Sequence, residues 1–389
     1  MRFLVIAPET SMNSLGRALS VMEVLCRVGE ARLAAYDTGP LWTGAEGARF
    51  EVGRFNSYEE LSGIVRRLDR PANGPLAIVA VKPFPRTLGW AERLRDELGG
   101  SIRLIADIDD ADVSIQRASR RRQSPLWRLR MAFGTDRDPD LHTPRNIRRT
   151  LRNSLVRADA LVLSSWALRT EIPAFGGPVL RMPHPRPRQE YLQPTPSDRL
   201  RLGFLGTPRG HKGLDRLLAV LVARPDAELH ALEGTLPPGV RDAHGQQLVV
   251  HPLLGADTLS RAYADVDVVV LPQDASAVGG RLQLPAKLFD AQRFGRPVIA
   301  TATPPIIELG GPGLIPVEAW KDLGEGLAAL DSLADAGVRE RLGRAANRHF
   351  NETVSAESQA KALGPSFAEV MGLPPESPAR QSAYATCVD

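Results

Sequence analysis

Short apolar runs alternate along the chain with segments whose apolar residues recur every three to four positions. In the first half, Phe3–Ala7, Arg32–Tyr36, Leu76–Val81, Arg103–Ala106, Ala160–Leu163 and Val179–Met182 predict strands. Between them, Gly16–Arg27, Tyr58–Leu68, Leu88–Leu98 and Arg145–Arg157 carry the helical period. Strands that alternate with helices in this way predict a parallel, doubly wound sheet. A proline-rich break follows, Pro183-His184-Pro185-Arg186-Pro187 and then Pro194-Thr195-Pro196, which predicts a linker.

Beyond the break the pattern restarts. Strands are predicted at Leu200–Leu205, Glu228–Leu232, Leu248–Val250, Val266–Leu271 and Pro297–Ala300. Helices are predicted at Gly213–Ala223, Asp257–Ala264, Pro285–Phe294 and Leu323–Asp331. The expected fold class is therefore α/β, with two Rossmann-like doubly wound domains, 1–185 and 198–350, facing a central cleft. The segment 351–373 is expected to close the chain as a helix packed back on the first domain. The tail 374–389, rich in Pro, Ser and Ala, is expected to be disordered.

Composition agrees with two cores: 389 residues, 43% hydrophobic and 24% charged, are ample for both. Cys26 and Cys387 are the only cysteines, too few for a disulfide framework or a cysteine metal site. Met1 leads directly into a strand-like run without the cleavage region of a signal peptide, and no apolar run approaches the roughly 20 residues of a membrane span. A cytoplasmic protein is the expectation. The histidines are scattered without metal-ligand spacing, and no Ser-His-Asp or Cys-His set is apparent.

Candidate chemistry concentrates in the second half. Pro285 opens a helix that Gly295 closes, and an apolar strand follows. Asp290 on that helix is placed to hold a ribose hydroxyl. The preceding stretch, Ala275-Ser276-Ala277-Val278-Gly279-Gly280, reads as a loop whose backbone amides face a diphosphate. Earlier, Gly206-Thr207-Pro208-Arg209-Gly210-His211-Lys212-Gly213 follows a strand and precedes a helix. A cation there can neutralise charge building on a leaving diphosphate, and Lys212 is the first candidate. Read alone, Arg209 and Lys212 are equally well solvated turn residues, and Asp290 a surface carboxylate paired to Lys287 or Arg293.

Four segments taken in order carry a resemblance. They are Gly206 through Lys212-Gly213; Ala231-Leu232-Glu233-Gly234; Ala264-Asp265-Val266-Asp267 running to Leu271-Pro272; and Lys287-Leu288-Phe289-Asp290-Ala291 through Gly295-Arg296-Pro297. Together they resemble the nucleotide-binding domain of group-one glycosyltransferases, which are retaining, metal-independent enzymes of the GT-B fold. Asp159 to Trp166 resembles that family's last N-domain strand, and Gly16-Arg17 its first glycine-bearing loop. The resemblance implies transfer of a sugar from a nucleoside diphosphate sugar to an acceptor hydroxyl or amine. Lys212 and Arg209 would assist departure of the diphosphate. Gly206, Thr207, Gly234, Gly279, Gly280, Arg281, Leu282, Lys287 and Asp290 would hold the donor, and no cofactor is implied beyond that co-substrate.

Two positions depart from the family pattern. Leu282 stands where a glutamate usually touches the donor sugar, leaving Arg281 or the amides of Gly279 and Gly280 to fill the gap. Thr207 stands where an arginine is common, with Arg209 two residues on. A nucleotide-sugar epimerase or a phosphorylase can use the same frame, and the change at Leu282 leaves a catalytically inactive nucleotide-binding subunit as the non-enzymatic alternative.

In the first half, Asp107-Ile108-Asp109-Asp110-Ala111-Asp112 follows a predicted strand directly. Carboxylates at a strand's carboxyl end face the ligand crevice of a doubly wound sheet. They would either hold Mg²⁺ on a diphosphate, or face the acceptor, or simply cap a helix. The acceptor role for Asp107, Asp109 and Asp110, with Gly16 and Arg17 beside them, is preferred because Lys212 already supplies positive charge. Arginines crowd the span 117–157, interleaved with Trp127, Leu129, Met131 and Phe133. Such a patch suits peripheral contact with anionic lipid or an anionic acceptor, or is a solvated face. No nucleic-acid module surrounds it, so the expected partners are a nucleotide-sugar donor and a small-molecule or glycan acceptor.

Overall fold

The computed structural model describes residues 1–45, 48–69, 74–99, 102–121, 138–206, 209–252, 256–318, 320 and 323–374. The chain forms two compact units. One is Met1–Pro185 joined by the segment from Ala356 onward, the other Arg186–Ser355.

The first unit is built on seven parallel strands: β1 (Arg2–Ala7), β2 (Glu30–Tyr36), β3 (Val52–Phe55), β4 (Leu76–Val81), β5 (Ile102–Ile108), β6 (Ala160–Leu163) and β7 (Val179–Arg181). Their order is β3-β2-β1-β4-β5-β6-β7, so the winding reverses between β1 and β4. Every residue of β4 and β6 is buried, as expected of continuous apolar strands covered on both faces. β3 escapes the sequence pattern because Val52-Gly53-Arg54-Phe55 is a short edge strand with Phe55 alone fully buried. The predicted helix Leu88–Leu98 instead begins as a π turn, Pro85–Gly89, and continues as Trp90–Leu98. The predicted helix Arg145–Arg157 ends at Asn153, and Leu155–Arg157 forms a separate 3₁₀ turn.

The Ser14–Val28 helix buries Leu15, Ala18, Val21, Met22 and Leu25 in the core of this unit. The Ala356–Val370 helix shares that core. Phe367 meets Phe3 edge to face at 5.8 Å, and Arg27 reaches Glu357 at 2.6 Å. Sequence-distant ends of the chain thus close one hydrophobic layer.

The second unit has six parallel strands in the order β10-β9-β8-β11-β12-β13. They are β8 (Leu200–Phe204), β9 (Ala227–Leu232), β10 (Leu248–His251), β11 (Val268–Leu271), β12 (Val298–Thr301) and β13 (Leu314–Val317). Here the winding reverses between β8 and β11. Leu217, Val220 and Leu221 of the Leu214–Ala223 helix belong to one apolar cluster, and Leu288, Phe289 and Ile306 to another. The proline-rich stretch after Arg186 is strapped to this unit. The fully buried Arg296 guanidinium donates to Leu192 O and Tyr263 O, each at 2.7 Å, while Asn347 donates to Gln189 O at 2.9 Å. Burial lowers the pKa of Arg296 to about 10.

One ion pair in the first unit is completely enclosed. Arg17 on the Ser14–Val28 helix meets Asp107 near the end of β5 through two hydrogen bonds of 2.6 and 2.9 Å, and also donates to Met182 O and Pro183 O. Burial raises the Asp107 pKa, and opposition from the Arg17 charge does not cancel that rise. Breaking such a pair leaves an uncompensated charge inside the protein. Asp107→Ala is therefore expected to cost about 3–5 kcal/mol in urea unfolding, and a loss below about 1 kcal/mol would show that the carbonyl partners of Arg17 suffice.

Candidate functional site

Open parallel sheets bind ligands outside the carboxyl ends of the strands, where the winding reverses. In the second unit that place is the exit of β8 and the exit of β11. Gly213 joins the two. It has φ +67°, and a Cβ there would lie 1.9 Å from Pro272 O, so no other residue fits the turn without moving backbone. Arg216 reinforces the junction by donating to Gln273 O at 3.2 Å and pairing with Asp274 at 3.6 Å.

The sequence-predicted donor residues line this junction. His211 O accepts from Asp274 N at 2.8 Å, and the His211 ring lies 3.1 Å from Gln283 Oε1. A Cβ on Gly279 would stand 3.4 Å from that ring, and one on Gly206 would stand 3.2 Å from Lys287 Cε. His211 thus meets Gly279, and Gly206 meets Lys287, at the exits of these strands, with Lys212 next to His211 in the same turn. Lys212 ends a 3₁₀ turn, Gly210–Lys212, and is half-buried; Arg209 is exposed just before it. Gly234 lies one strand over, exposed in the turn after β9 with φ +68°. Thr207 lies outside the described residues.

Two features differ from the sequence expectation. The stretch expected as an open glycine loop is in part a short helix, Val278–Leu282, with Gly279 and Gly280 buried in its first turn. Gly280 is required by packing, since a Cβ there would sit 2.0 Å from Asp274 O. The amides of that turn still lack intrahelical acceptors. Within this helix Arg281 is exposed, whereas Leu282 is 5% exposed and turned into the protein.

The second difference concerns Asp290, which is 2% exposed and held by Lys287 Nζ and Arg186 Nε, each at 3.3 Å. Burial pushes the carboxyl up, but Lys287, Arg186 and Arg293 together outweigh it and hold the pKa below the usual range. Asp290 is thus an ionised anchor for Lys287 beside Gly206. Arg186, the partner missed in sequence, comes from the proline-rich stretch about a hundred residues earlier, a separation no local pattern reveals.

The first unit has its own reversal, between β1 and β4. Lys82, immediately after β4, adopts φ +64°, uncommon for a residue with a side chain. Its buried ammonium donates to Asp109 at 2.8 Å, Asp110 at 3.1 Å and Asp112 at 3.2 Å. Burial raises Asp112 to about 7, the neighbouring carboxylates adding to the effect of burial and Lys82 opposing it. Sequence reasoning missed Lys82, although its position just past an unbroken apolar run was a usable signal. Arg17 and Asp107, expected to face an acceptor, are instead spent on each other below this surface, at 2% and 0% exposure. Gly16 packs against the Trp42 ring, where a Cβ would come within 3.0 Å.

Of the basic span, Arg145, Arg149 and Arg152 are exposed on the Pro144–Asn153 helix, and Arg157 pairs with Glu92 and Asp96. The predicted patch residues from Arg120 to Phe133 fall outside the described residues or side chains. Among the described residues, no helix is long and apolar enough to cross a membrane, and no three metal-ligating side chains are grouped to hold an ion.

No protein-family model matches the chain, and no curated protein matches it by sequence. Solved structures do match. Sucrose-phosphate synthase from Thermosynechococcus elongatus is 14% identical, with TM-score 0.63 over 96% of this chain and 99% of that one. Anabaena HepE, solved with UDP, is 14% identical with TM-score 0.65 over 95% and 100%. A glycosyltransferase from Rickettsia africae is 11% identical with TM-score 0.62 over 95% and 98%. The chain therefore shares the fold of GT-B glycosyltransferases, two Rossmann-like units in succession.

The ionised Asp290 generates a pH prediction. Because its folded pKa lies below the ordinary 3.8, its contribution to stability is present above that value and lost as pH falls toward the folded pKa. The stability gap between wild type and Asp290→Asn, followed by denaturant unfolding, should be largest near neutral pH and shrink below about pH 4. A gap constant down to about pH 2 would show that ionisation of Asp290 contributes nothing.

Proposed function

We propose that this chain transfers a glycosyl unit from a nucleoside diphosphate sugar to an acceptor hydroxyl or amine, with retention at the anomeric carbon and without a metal. The observation that supports the reading is the β8–β11 reversal, where the His211–Lys212 turn lies against Gly279 of the Val278–Leu282 helix and Lys287 lies against Gly206. A diphosphate placed there meets two ammonium groups, the exposed Arg209 and Arg281, and amides without intrahelical acceptors. These charges are held in place before reaction, so they stabilise the negative charge that grows as the bond from the anomeric carbon to the diphosphate breaks. The acceptor oxygen or nitrogen forms the new bond, and its proton passes to the departing phosphate oxygen. No protein nucleophile is needed in that sequence.

Lys287 has a defined part. Its pairing with Asp290 fixes the stem against Gly206, so the ammonium is positioned without a search through rotamers. In the first unit, the carboxylates around Lys82 are the acceptor-facing groups of this reading, with Asp109 and Asp110 in place of the buried Asp107. The scarcity of cysteine supports a cytoplasmic setting.

Uridine diphosphate is the first ligand to test, because HepE was solved with UDP and with UDP-glucose. At a hundred times its Kd, a ligand that binds only the native state adds about 2.7 kcal/mol of stability. A nucleoside diphosphate that raises Tm accordingly is expected, and its base names the donor. Lys212→Ala should lower turnover at least about tenfold with the fold intact, the scale of one preorganised charge contact. Unchanged turnover removes Lys212 from the chemistry, and conversion of the donor without any acceptor would favour an epimerase.

A further inference from the structure

A cavity of about 640 Å³ opens in the first unit beside the carboxyl ends of β2 and β3. Its volume falls within the roughly 300–1,000 Å³ of small-molecule sites. Tyr36, the start of the Tyr58–Leu68 helix, the π turn Pro85–Gly89 and the Pro144–Asn153 helix form its walls. These walls are fixed in place. Trp90 Nε1 donates to Asp140 at 3.1 Å, Asp140 N to Asp138 at 2.9 Å, and Asn146 Nδ2 to Asp138 O at 2.8 Å and Leu141 O at 3.0 Å.

The lining narrows the ligand. Its ring faces are already covered: the Arg86 guanidinium lies 4.2 Å from the Tyr36 centroid, Arg93 lies 3.8 Å from that of Tyr58, and Trp90 stands edge-on to both rings. A nucleobase therefore finds no open stacking face. Of the lining charges, Arg93, Glu92 and Arg149 are engaged by protein groups, and Glu59, Asp138 and Asp140 add carboxylates to the wall. Arg93 bonds Glu97 at 2.9 Å, Glu92 bonds Arg157 at 2.8 Å, and Arg149 donates to Pro139 O at 3.2 Å. Arg86 differs: among the described residues it pairs with no carboxylate, and its Nε is buried without a hydrogen-bond partner. A partly desolvated guanidinium lacking a counter-charge attracts an anion more strongly than one in open water, and its fork suits a carboxylate or phosphate. Around it the Asn56 and Asn153 side chains are exposed and lie on the lining with Thr150, offering amide and hydroxyl groups to a hydroxylated ligand.

We propose that this cavity binds a saccharide carrying one acid group, its acid on Arg86 and its hydroxyls on Asn56, Thr150 and Asn153. The site goes beyond the proposed transfer and does not require it. Gly89 on the lining supplies a clean test. It has helical φ −66° and ψ −45°, and an added Cβ would have only Thr150 nearby, at 3.9 Å. The backbone at Gly89 therefore accepts a Cβ, Gly89→Leu adds bulk on the cavity wall beside Thr150, and replacing a helical glycine favours folding.

The experiment is titration calorimetry on the full chain with glucuronate, glucose 6-phosphate, glucose and inorganic phosphate. The expected result is that at least one acidic sugar binds about tenfold or more tightly than glucose, the scale of a hydrogen bond to a charged group. The tighter of the two identifies whether the acid is a carboxylate or a phosphate. Arg86→Gln should erase that preference without changing the affinity for glucose, and Gly89→Leu should weaken every sugar at least about tenfold with a Tm no lower than wild type's. Equal binding of acidic and neutral sugars, phosphate binding as tightly as the acidic sugars, wild-type affinities in the two variants, or no heat from any probe would each overturn the proposal. The nucleoside diphosphate Tm shift, run alongside, depends on the second unit alone, so failure here leaves the transfer reading standing and failure there leaves this site standing.

Discussion

The contact on which the second unit's crevice depends is the approach of Gly213 to Pro272. A backbone in the left-handed region, with no room for a Cβ, lets the turn after β8 lie against the turn after β11. Everything placed at the crevice follows from that closure. His211 hands a carbonyl to Asp274, Asp274 receives Gly280 against its own backbone, and Gly280 sets where the Val278–Leu282 helix begins. A wider separation at Gly213 would uncouple Lys212 from the helix start, and two cations several ångströms further apart attract a diphosphate far less once solvent enters between them.

The two reversal points carry opposite charge. Near the β8–β11 exit, Lys287 and Arg186 meet the buried Asp290, and Arg216 meets Asp274. At the β1–β4 exit, a single ammonium on Lys82 faces Asp109, Asp110 and Asp112. Each buried minority charge is the one that fixes geometry, because a lone opposite charge surrounded by several partners has one best position, while its partners gain little from moving away. Asp290 thus orders Lys287 and Arg186 in one unit and Lys82 the carboxylates of the other. The polarity suits the proposed division of labour, an anionic donor held by the second unit and a hydroxyl or amine received by the first.

Much of this architecture was legible in the sequence because the physics was local. Leu76–Val81, Ala160–Leu163, Tyr58–Leu68 and Leu323–Asp331 are found with the predicted ends, each a run whose burial or amphipathic period is unambiguous. What escaped depended on distant partners. β3 and β13 are short edge strands with few buried residues, too weak to register against the background of turns. The helix Val278–Leu282 has two consecutive glycines, which read as a loop until the Asp274 backbone is seen to demand Gly280. The proline-rich stretch reads as a linker because it lacks periodicity, and only distant partners such as Asp290, Arg296, Asn347 and Asn351 show that it is strapped to one unit. The burial of Arg17 with Asp107 was hidden for the same reason: ninety residues separate two charged side chains, each more often found at a surface.

Leu282 brings these strands of argument together. In the resembled family a glutamate at this position touches the donor sugar, and replacing a carboxylate by leucine would ordinarily expose an apolar side chain in a polar crevice. The structure resolves the conflict by turning position 282 inward to 5% exposure while Arg281 takes the exposed position. The substitution thus does more than delete a hydrogen-bond acceptor. It leaves position 282 without a carboxylate and presents a guanidinium, Arg281, from the same helix. Under the proposed function, this arrangement favours attraction for a diphosphate and withdraws a contact from the sugar. In that proposed role the site depends on its grip on a pyrophosphate, and discrimination between sugars falls to groups other than a carboxylate at position 282.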